Sequence, residues 1–538
     1  MNNQDMLRVA VRDFGKPVIA WACNLSDGQV EQLLTQDLSL QEPQARILDQ
    51  LVGRLFSIRL RAAVQGFPVP LFLSEFSGVQ GSTDRNILNV WREEAGGEMP
   101  RIASDDSVIN PLQHLALDAY PTLLMAPYLL QDANPGLTLF FSTFSFRHPA
   151  RRGFENAVLQ DDALTLLFPT KGEDEINTYS QVMSSTGRGG TIQLSGLASQ
   201  VIQFSYALMR IRGGLSVDQL FSSVQEAITI LRDVASGREA RVPTFVGFNN
   251  ISLEATAPIQ VPWGTLKPYT ELFSEFVPSQ ARPSHTNVGD TDVTLGFVLE
   301  TSFPYHIAVG PWAPGPSREE LPTWPSGMDA DREILDHNCR LTALLLSLAI
   351  ERAPPIAGAL AWTMVLDPIF GGSSISWNER AYPPVDFFRV RDEHIESIRG
   401  WASIITSVDD SKIRIAQRRT LSALTQRHDP VDSFIDAVVA WENLFGAGQG
   451  ELRFRISASM ASLLSDVADE RLALQNEISK LYDRRSKVLH GDDLSPESAS
   501  ADRNRALFLV LATLRCLYQN LPHLVANTDR ARILILSP

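Results

Sequence analysis

Near the end of the chain, Leu481-Tyr482-Asp483-Arg484-Arg485-Ser486-Lys487-Val488-Leu489-His490-Gly491 sets an arginine and a histidine five positions apart and closes with a glycine. Arginine is a permanent cation with a rigid fork of donors, and histidine exchanges a proton near neutral pH. Together these side-chain types are suited to proton transfer beside a developing negative charge.

The elements that must hold the pair are helices. Leu474, Ile478, Leu481, Arg485 and Val488 recur at helical spacing, which puts Arg485 on the apolar stripe of a helix expected over about 471–490. Arg484 falls instead with Glu477, Lys480 and Lys487 on the polar face. Upstream, Ile435, Val438, Glu442 and Phe445 place Glu442 on the stripe of a helix over 431–445. A half-buried charge without a partner is costly, so Glu442 and Arg485 are expected to face each other. On a straight helix the five-residue step from Arg485 to His490 is about 140° around the axis and about 7.5 Å along it. The two side chains therefore do not point squarely at one atom, and a pocket shared with a symmetry mate eases the geometry. Gly491 is the expected C-terminal cap, and the negative end of the helix favours a cationic imidazole at His490.

From Val385 the pattern is helix after helix, at about 391–407, 412–426, 431–445, 452–465, 471–490 and 496–520. Asp429-Pro430 offers an N-cap and a first-turn proline, Gly446 a stop, and Ser495-Pro496 repeats the device. Six helices with short connections describe a bundle over 385–538.

These residues resemble a family. The stretch Tyr482 to Gly491 looks like the YdlRSkivHG signature of Apea-like HEPN domains. Ile435-Asp436-Ala437-Val438-Val439-Ala440-Trp441-Glu442-Asn443-Leu444-Phe445 resembles that family's lviaLEaLf helix, and Glu451-Leu452-Arg453-Phe454-Arg455-Ile456 with 458–464 resembles the segment between them. Three matches in order are more specific than a lone RxxxxH. They cover about residues 390–525 and do not extend to the N-terminal part. The resemblance implies a helical bundle that forms a homodimer, with two RxxxxH motifs meeting at the interface. It implies a ribonuclease that needs no metal or cofactor and acts in bacterial defence against phage or in a toxin-like system. Carried over, His490 is the general acid/base for attack of a ribose 2′-hydroxyl on its own phosphodiester. Arg485 stabilises the charge that develops on the phosphoryl group, and Glu442 orients Arg485. The products are a 2′,3′-cyclic phosphate and a 5′-hydroxyl. Tyr482, Arg484, Ser486 and Lys487 are the residues expected to contact RNA, with tRNA among the candidate substrates. Ser486 departs from the Asn, Asp or His that often follows the arginine in HEPN ribonucleases. The alternative is a non-catalytic HEPN module for dimerisation or nucleotide or RNA binding, with Arg485 and Glu442 as a structural ion pair.

The totals bound the rest. A chain of 538 residues exceeds one compact core, so two or three domains are expected. Cys23, Cys339 and Cys516 are far apart and form no CxxC, which excludes a disulfide framework and a thiolate zinc site and fits a reducing, cytoplasmic setting. The N-terminus lacks the pattern of a secretory signal, and the most apolar stretch, 341–366, is interrupted by Glu351, Arg352, Pro354 and Pro355, so no membrane span is expected. The net charge of −15 is unevenly placed: from Ala381 onward there are 20 Lys and Arg against 21 Asp and Glu, which leaves −14 to the first 380 residues. Within the near-neutral part, Lys412, Arg414, Arg418, Arg419 and Arg427 form a basic cluster that can meet phosphates or line a solvated helix face.

Residues 1–330 mix the two periodicities. Strands are expected at Pro17–Leu25, Val69–Phe76, Leu137–Phe146, Thr191–Leu197, Thr244–Ala255, Ile259–Trp263 and Thr291–Phe303, with helices at Pro43–Val64, Gln200–Ile211 and Ser216–Val234. A helix over Asp329–Glu351 and a passage over Leu366–Pro384 follow, within a connecting part at 331–384. The fold class is multidomain α+β: a mixed α/β N-terminal region with a substantial sheet, then an all-α HEPN-like bundle. The N-terminal region is expected to sense an unknown trigger or restrain the bundle. It carries no GxxxxGK[ST], HExxH, GxSxG or GxGxxG motif. Gly187-Arg188-Gly189-Gly190-Thr191 invites a phosphate-loop reading but lacks the lysine and serine, and is expected to be a turn. His114, His148, His285, His306 and His337 have no partners at metal-ligand spacing.

Overall fold

A computed structural model describes residues 3–35, 37–66, 85–125, 148–170, 178–289, 291–312, 321–378, 387–446, 451–491 and 494–536. The expected strands at 69–76 and 137–146 lie outside these residues.

The N-terminal part is helical before it is a sheet. Helices α1 (Asn3–Phe14), α2 (Lys16–Ala22), α3 (Asp27–Thr35), α4 (Glu42–Gln65), α5 (Ile87–Glu94), α6 (Ile109–Leu123) and α7 (Pro149–Gln160) precede the first described strand. The strand expected at 17–25 is therefore corrected: Val18 to Ala22 are all buried, and a short apolar run enclosed on every side has no face by which a strand differs from a helix. Pro17 in the first turn after Gly15 (φ +89°) sets the helix start. In α4, Ile47, Leu51, Leu55 and Ile58 form the buried stripe, Gln41 and Gln44 cap each other, and Gly66 ends the helix at φ +70°.

Strands β1 (Tyr179–Ser184) and β2 (Gly189–Gln193) form a hairpin that leads straight into α8 (Leu194–Ile211), so the strand expected to reach Leu197 stops at Gln193. Helix α9 (Val217–Ala235) follows, capped by Ser216 and Gln219, with Leu220, Val224, Ile228 and Leu231 buried. The strands then follow as β3 (Ala240–Asn249), β4 (Ile251–Leu253), β5 (Ile259–Val261), β6 (Gly264–Pro268), β7 (His285–Val288), β8 (Thr291–Thr294), β9 (Gly296–Tyr305) and β10 (Ile307–Pro311). After α10 (Met328–Ala349) come β11 (Ala359–Leu366), β12 (Ser373–Trp377) and β13 (Phe388–Val390). The central sheet has six antiparallel strands in the order β12-β11-β3-β9-β6-β5, and β10-β1-β2 form a second sheet. The passage expected at 366–384 thus contains an edge strand, with Trp377 opposite Trp362. At the register where β3 passes β11, a Cβ on Gly247 would lie 2.1 Å from the Trp362 indole, so only glycine admits that ring.

The central sheet is buried on both faces. Phe245, Val298 and Phe303 join the core of the N-terminal helices. Val246, Phe248, Phe297 and Leu299 join a second core with α10 and the C-terminal helices. The packing crosses the boundary expected at 385, because Leu341, Leu344, Leu345 and Leu348 of α10 share that core with Trp401, Phe434 and Trp441.

The C-terminal region is helical: α11 (Ile395–Thr406), α12 (Arg414–Thr425), α13 (Pro430–Phe445), α14 (Leu452–Leu464), α15 (Ala468–Leu489), α16 (Pro496–Asn520), α17 (Pro522–Val525) and α18 (Arg530–Leu536). The last two extend the expected six. Asp429 accepts from Val431 N at 2.6 Å, and Ser495 caps α16 through Ser498 N, as the Asp-Pro and Ser-Pro pairs require. Helix α13 is central, with Phe434, Ala437, Val438, Trp441, Leu444 and Phe445 fully enclosed. Helix α15 is peripheral, burying only Ile478 and Leu481 of its 22 residues. Among the described residues no helix is long and apolar enough to cross a membrane.

Candidate functional site

Helices α13 and α15 bring Glu442 and Arg485 together. Arg485 Nη2 donates to Glu442 Oε2 at 3.3 Å, and Nη1 lies 3.3 Å from Oε1. Their side chains are 18% and 23% exposed, so the pair is lined by protein yet open to solvent on one side. This is the contact expected when both charges sit on apolar stripes. Leu481 and Ile478 anchor α15 beneath it, and Val438 and Phe445 anchor α13.

Tyr482 completes the group. One turn before Arg485 on the same face, its phenol donates to Glu442 Oε1 at 2.8 Å. Burial and the adjacent carboxylate push the Tyr482 hydroxyl up to about 12, against an opposing pull from Arg485. Sequence reasoning assigned Tyr482 to RNA contact and missed the link to Glu442, although the spacing of three from Arg485 was visible. Two buried donors in this neighbourhood have no hydrogen-bond partner, Arg485 Nε and the indole Nε1 of Trp441.

His490 is placed apart from the group. It follows the last residue of α15, its backbone N–H bonds to Lys487 O at 2.9 Å, and Gly491 turns the chain away at φ +101°. The imidazole is exposed and has no hydrogen-bond or ion-pair partner among the described residues. Arg485 lies in α15 and His490 caps its end, and no hydrogen bond joins the two side chains within one copy.

The other expected site residues divide. Arg484 is tied to α16, with Nη1 donating to both oxygens of the buried Asp502 at 2.6 and 2.8 Å. Arg484, whose side chain stays 45% exposed, thus also serves as a strut between helices. Ser486 is half-buried and Lys487 exposed. In the upstream basic cluster, Arg419 and Arg427 converge on the buried Asp436 at 2.8 and 2.6 Å, and Arg414 lies 3.7 Å from Asp410. Lys412 and Arg418 are exposed. Arg530, 2% exposed, donates to Leu444 O, Leu524 O and Val525 O, which satisfies carbonyls at the ends of α13 and α17. Among the described residues no group of three or more His, Cys, Asp or Glu stands close enough to hold a metal ion.

Comparison with protein-family models, with curated proteins and with solved structures finds no match to this chain.

Proposed function

We propose that the C-terminal helical region is a HEPN-type ribonuclease whose active site is completed by a second copy of the chain. One observation carries the reading: a half-buried Glu442–Arg485–Tyr482 group stands one turn from the exposed His490, which has no hydrogen-bond or ion-pair partner among the described residues. A charge-stabilising arginine held by a carboxylate and a free proton-exchanging imidazole are the two parts that phosphodiester transfer requires. A second α15 set antiparallel to the first brings the imidazole of one copy to the guanidinium of the other.

In this site the 2′-oxygen attacks phosphorus as its proton passes to a general base. His490 takes or returns a proton, and the 5′-oxygen leaves protonated, so the bond to the 5′-oxygen breaks as the bond to the 2′-oxygen forms. Glu442 occupies one edge of the Arg485 guanidinium, and the N–H groups that it does not engage are left for the equatorial phosphoryl oxygens. The peripheral placement of α15 supports a dimer through it, since Leu472 and Leu489 are 59% and 52% exposed along that helix.

The test is complementation. Arg485→Ala and His490→Ala proteins are each inactive on RNA alone. Mixed to form heterodimers, they regain one intact site in two, and sedimentation reports a dimer. Activity in a strictly monomeric protein contradicts the reading. The second reading, a non-catalytic module for dimerisation or RNA binding, is favoured by the hydrogen bonds that already engage Arg485, and it predicts RNA retention without cleavage in every mixture.

A further inference from the structure

Helix α15 carries the site yet has little apolar side chain to fix its rotation, since only Ile478 and Leu481 of its 22 residues are buried. Its backbone lies against α14, joined there by the exposed Arg453–Asp483 pair. Tyr482 and Arg485 tie it to α13. On another side two charged pairs tie it to α16. Arg484 Nη1 donates to both oxygens of Asp502 at 2.6 and 2.8 Å, and Arg505 forks onto Glu477 at 2.7 and 2.8 Å. The backbones of α15 and α16 do not pack closely, so these long side chains are the bridge between them. Glu477 and Arg484 stand seven positions apart on one face of α15, and Asp502 and Arg505 three apart on α16. Two such clasps resist rotation and sliding together, which one alone does not. Asp502 is buried, so its charge is costly without Arg484, and the Arg505 guanidinium holds the Glu477 carboxyl below its usual range.

The other half of α16 grips the end of α10. A helix leaves its last carbonyls without partners of its own, and in α10 the C-terminal region supplies them. Arg515, about 20 Å along α16 from Asp502, donates through Nε to Leu348 O at 2.9 Å and through Nη2 to Ser347 O at 2.9 Å and Ile350 O at 3.3 Å. Ser397 Oγ takes the remaining carbonyl, Ala349 O, at 2.9 Å. The Arg515 side chain is only 13% exposed. Elsewhere α10 is fastened to the sheet region: Arg332 Nη2 donates to Thr186 O at 3.3 Å, and Thr342 Oγ1 accepts from Trp263 Nε1 at 2.9 Å. One helix thus holds α15 by two residues and the end of α10 by a third.

We propose that Asp502 and Arg505 are positioning residues for Arg485, and that Arg515 couples their helix, and through it the site, to the N-terminal region. A displacement at the end of α10 moves α16, whose charged pairs carry the shift to α15 at Arg484, the neighbour of Arg485. The two arrangements involved are α15 clasped, with Arg485 on Glu442, and α15 released, with α13 and α16 still packed. The catalytic consequence of this link rests on the ribonuclease reading; the link itself does not.

Hydrogen exchange read by mass spectrometry on the full-length protein tests the link without reference to cleavage. Asp502→Asn keeps the shape of the side chain and removes its charge, and peptides covering 474–489 are expected to exchange about tenfold faster, the size of a lost charge-assisted pair. Arg515→Ala is expected to speed the same peptides, although the Arg515 side chain bonds to α10, while α14 exchanges as in the parent. Arg515→Lys, which keeps the cation without the fork, acts in the same direction and serves if the alanine variant fails to fold. The proposal is overturned if the Arg515 variants speed exchange only in α10 and α16, or if Asp502→Asn leaves 474–489 unchanged. On RNA, Glu477→Arg is expected to lower kcat about tenfold with KM unchanged, and the swap Glu477→Arg with Arg505→Glu to restore it. A parent that cleaves RNA beside a swap that restores nothing overturns the positioning role. A parent that cleaves no RNA removes the ribonuclease reading and leaves the exchange rates to decide the link.

Discussion

Two half-buried arginines mark two regions of this molecule. In the helical region, Arg485 meets Glu442, which Tyr482 also holds, and every member comes from a regular helix. In the sheet region, Arg188 lies over Phe370 with a buried nitrogen unused, and its surroundings come from a hairpin turn, a second turn 180 residues later and the start of α8. The first arrangement neutralises its charge internally and leaves the buried Arg485 Nε without a partner. The second leaves a guanidinium with no carboxylate within ion-pair distance among the described residues. The difference teaches that a buried cation is informative chiefly through what its neighbours fail to satisfy.

Breaking the frame under Arg188 has the largest expected effect. Asp367→Ala strands the enclosed Tyr305 hydroxyl and two backbone N–H groups, a loss of about 3–5 kcal/mol. The urea midpoint of the transition reported by tryptophan fluorescence reads it, and a change under about 1 kcal/mol shows that the turn is not held as described. Next is Glu442→Gln, which leaves the Arg485 charge half-buried and costs about 2–3 kcal/mol. A double-mutant cycle with Arg485→Met sharpens the point: coupling of about 1 kcal/mol or more is expected, and additive effects contradict the pairing.

Tyr482→Phe removes one hydrogen bond and costs about 1 kcal/mol at neutral pH. The folded state raises the Tyr482 hydroxyl from 10.0 to about 12, so its contribution is full below pH 10 and fades as pH rises toward 12. The stability gap between parent and Tyr482→Phe should be flat from pH 7 to 10 and narrow above it. A gap that widens there has the sign reversed. Smallest is Arg453→Ala, which breaks an exposed pair with Asp483 and is expected to cost under about 0.5 kcal/mol. If it costs as much as Glu442→Gln, burial does not separate the two pairs.

Legibility in the sequence followed the same division. The stripes of 435–445 and 474–488 placed Glu442 opposite Arg485 because helical period alone decides which side chains face a core. The capped starts at Asp429-Pro430 and Ser495-Pro496 and the buried stripe of α9 were readable because caps and helical period are local signals, whereas the alternation of Ile251 and Leu253 is not reflected in burial, since Ser252 between them is buried as well. The stretch Pro17–Leu25 was misread as a strand because its run Val18 to Ala22, buried on all sides, has no period. The pairing of Arg484 with Asp502 was not legible, because Asp502 sits on the next helix in a position whose face depends on the bundle's packing. The contact of Arg188 with Phe370 was invisible because the two turns meet only after the two sheets are assembled. The resemblance to HEPN domains rests on motif order alone, with no matching family, curated protein or solved structure beside it.

The central claim is that Arg485 and His490 cleave RNA. Its most direct measurement is incubation of purified protein with tRNA and mixed RNA in EDTA, beside Arg485→Ala and His490→Ala. The account predicts fragments from the parent alone, ending in 2′,3′-cyclic phosphate and 5′-hydroxyl. Intact RNA with the dimeric parent, or equal cleavage by His490→Ala, contradicts it.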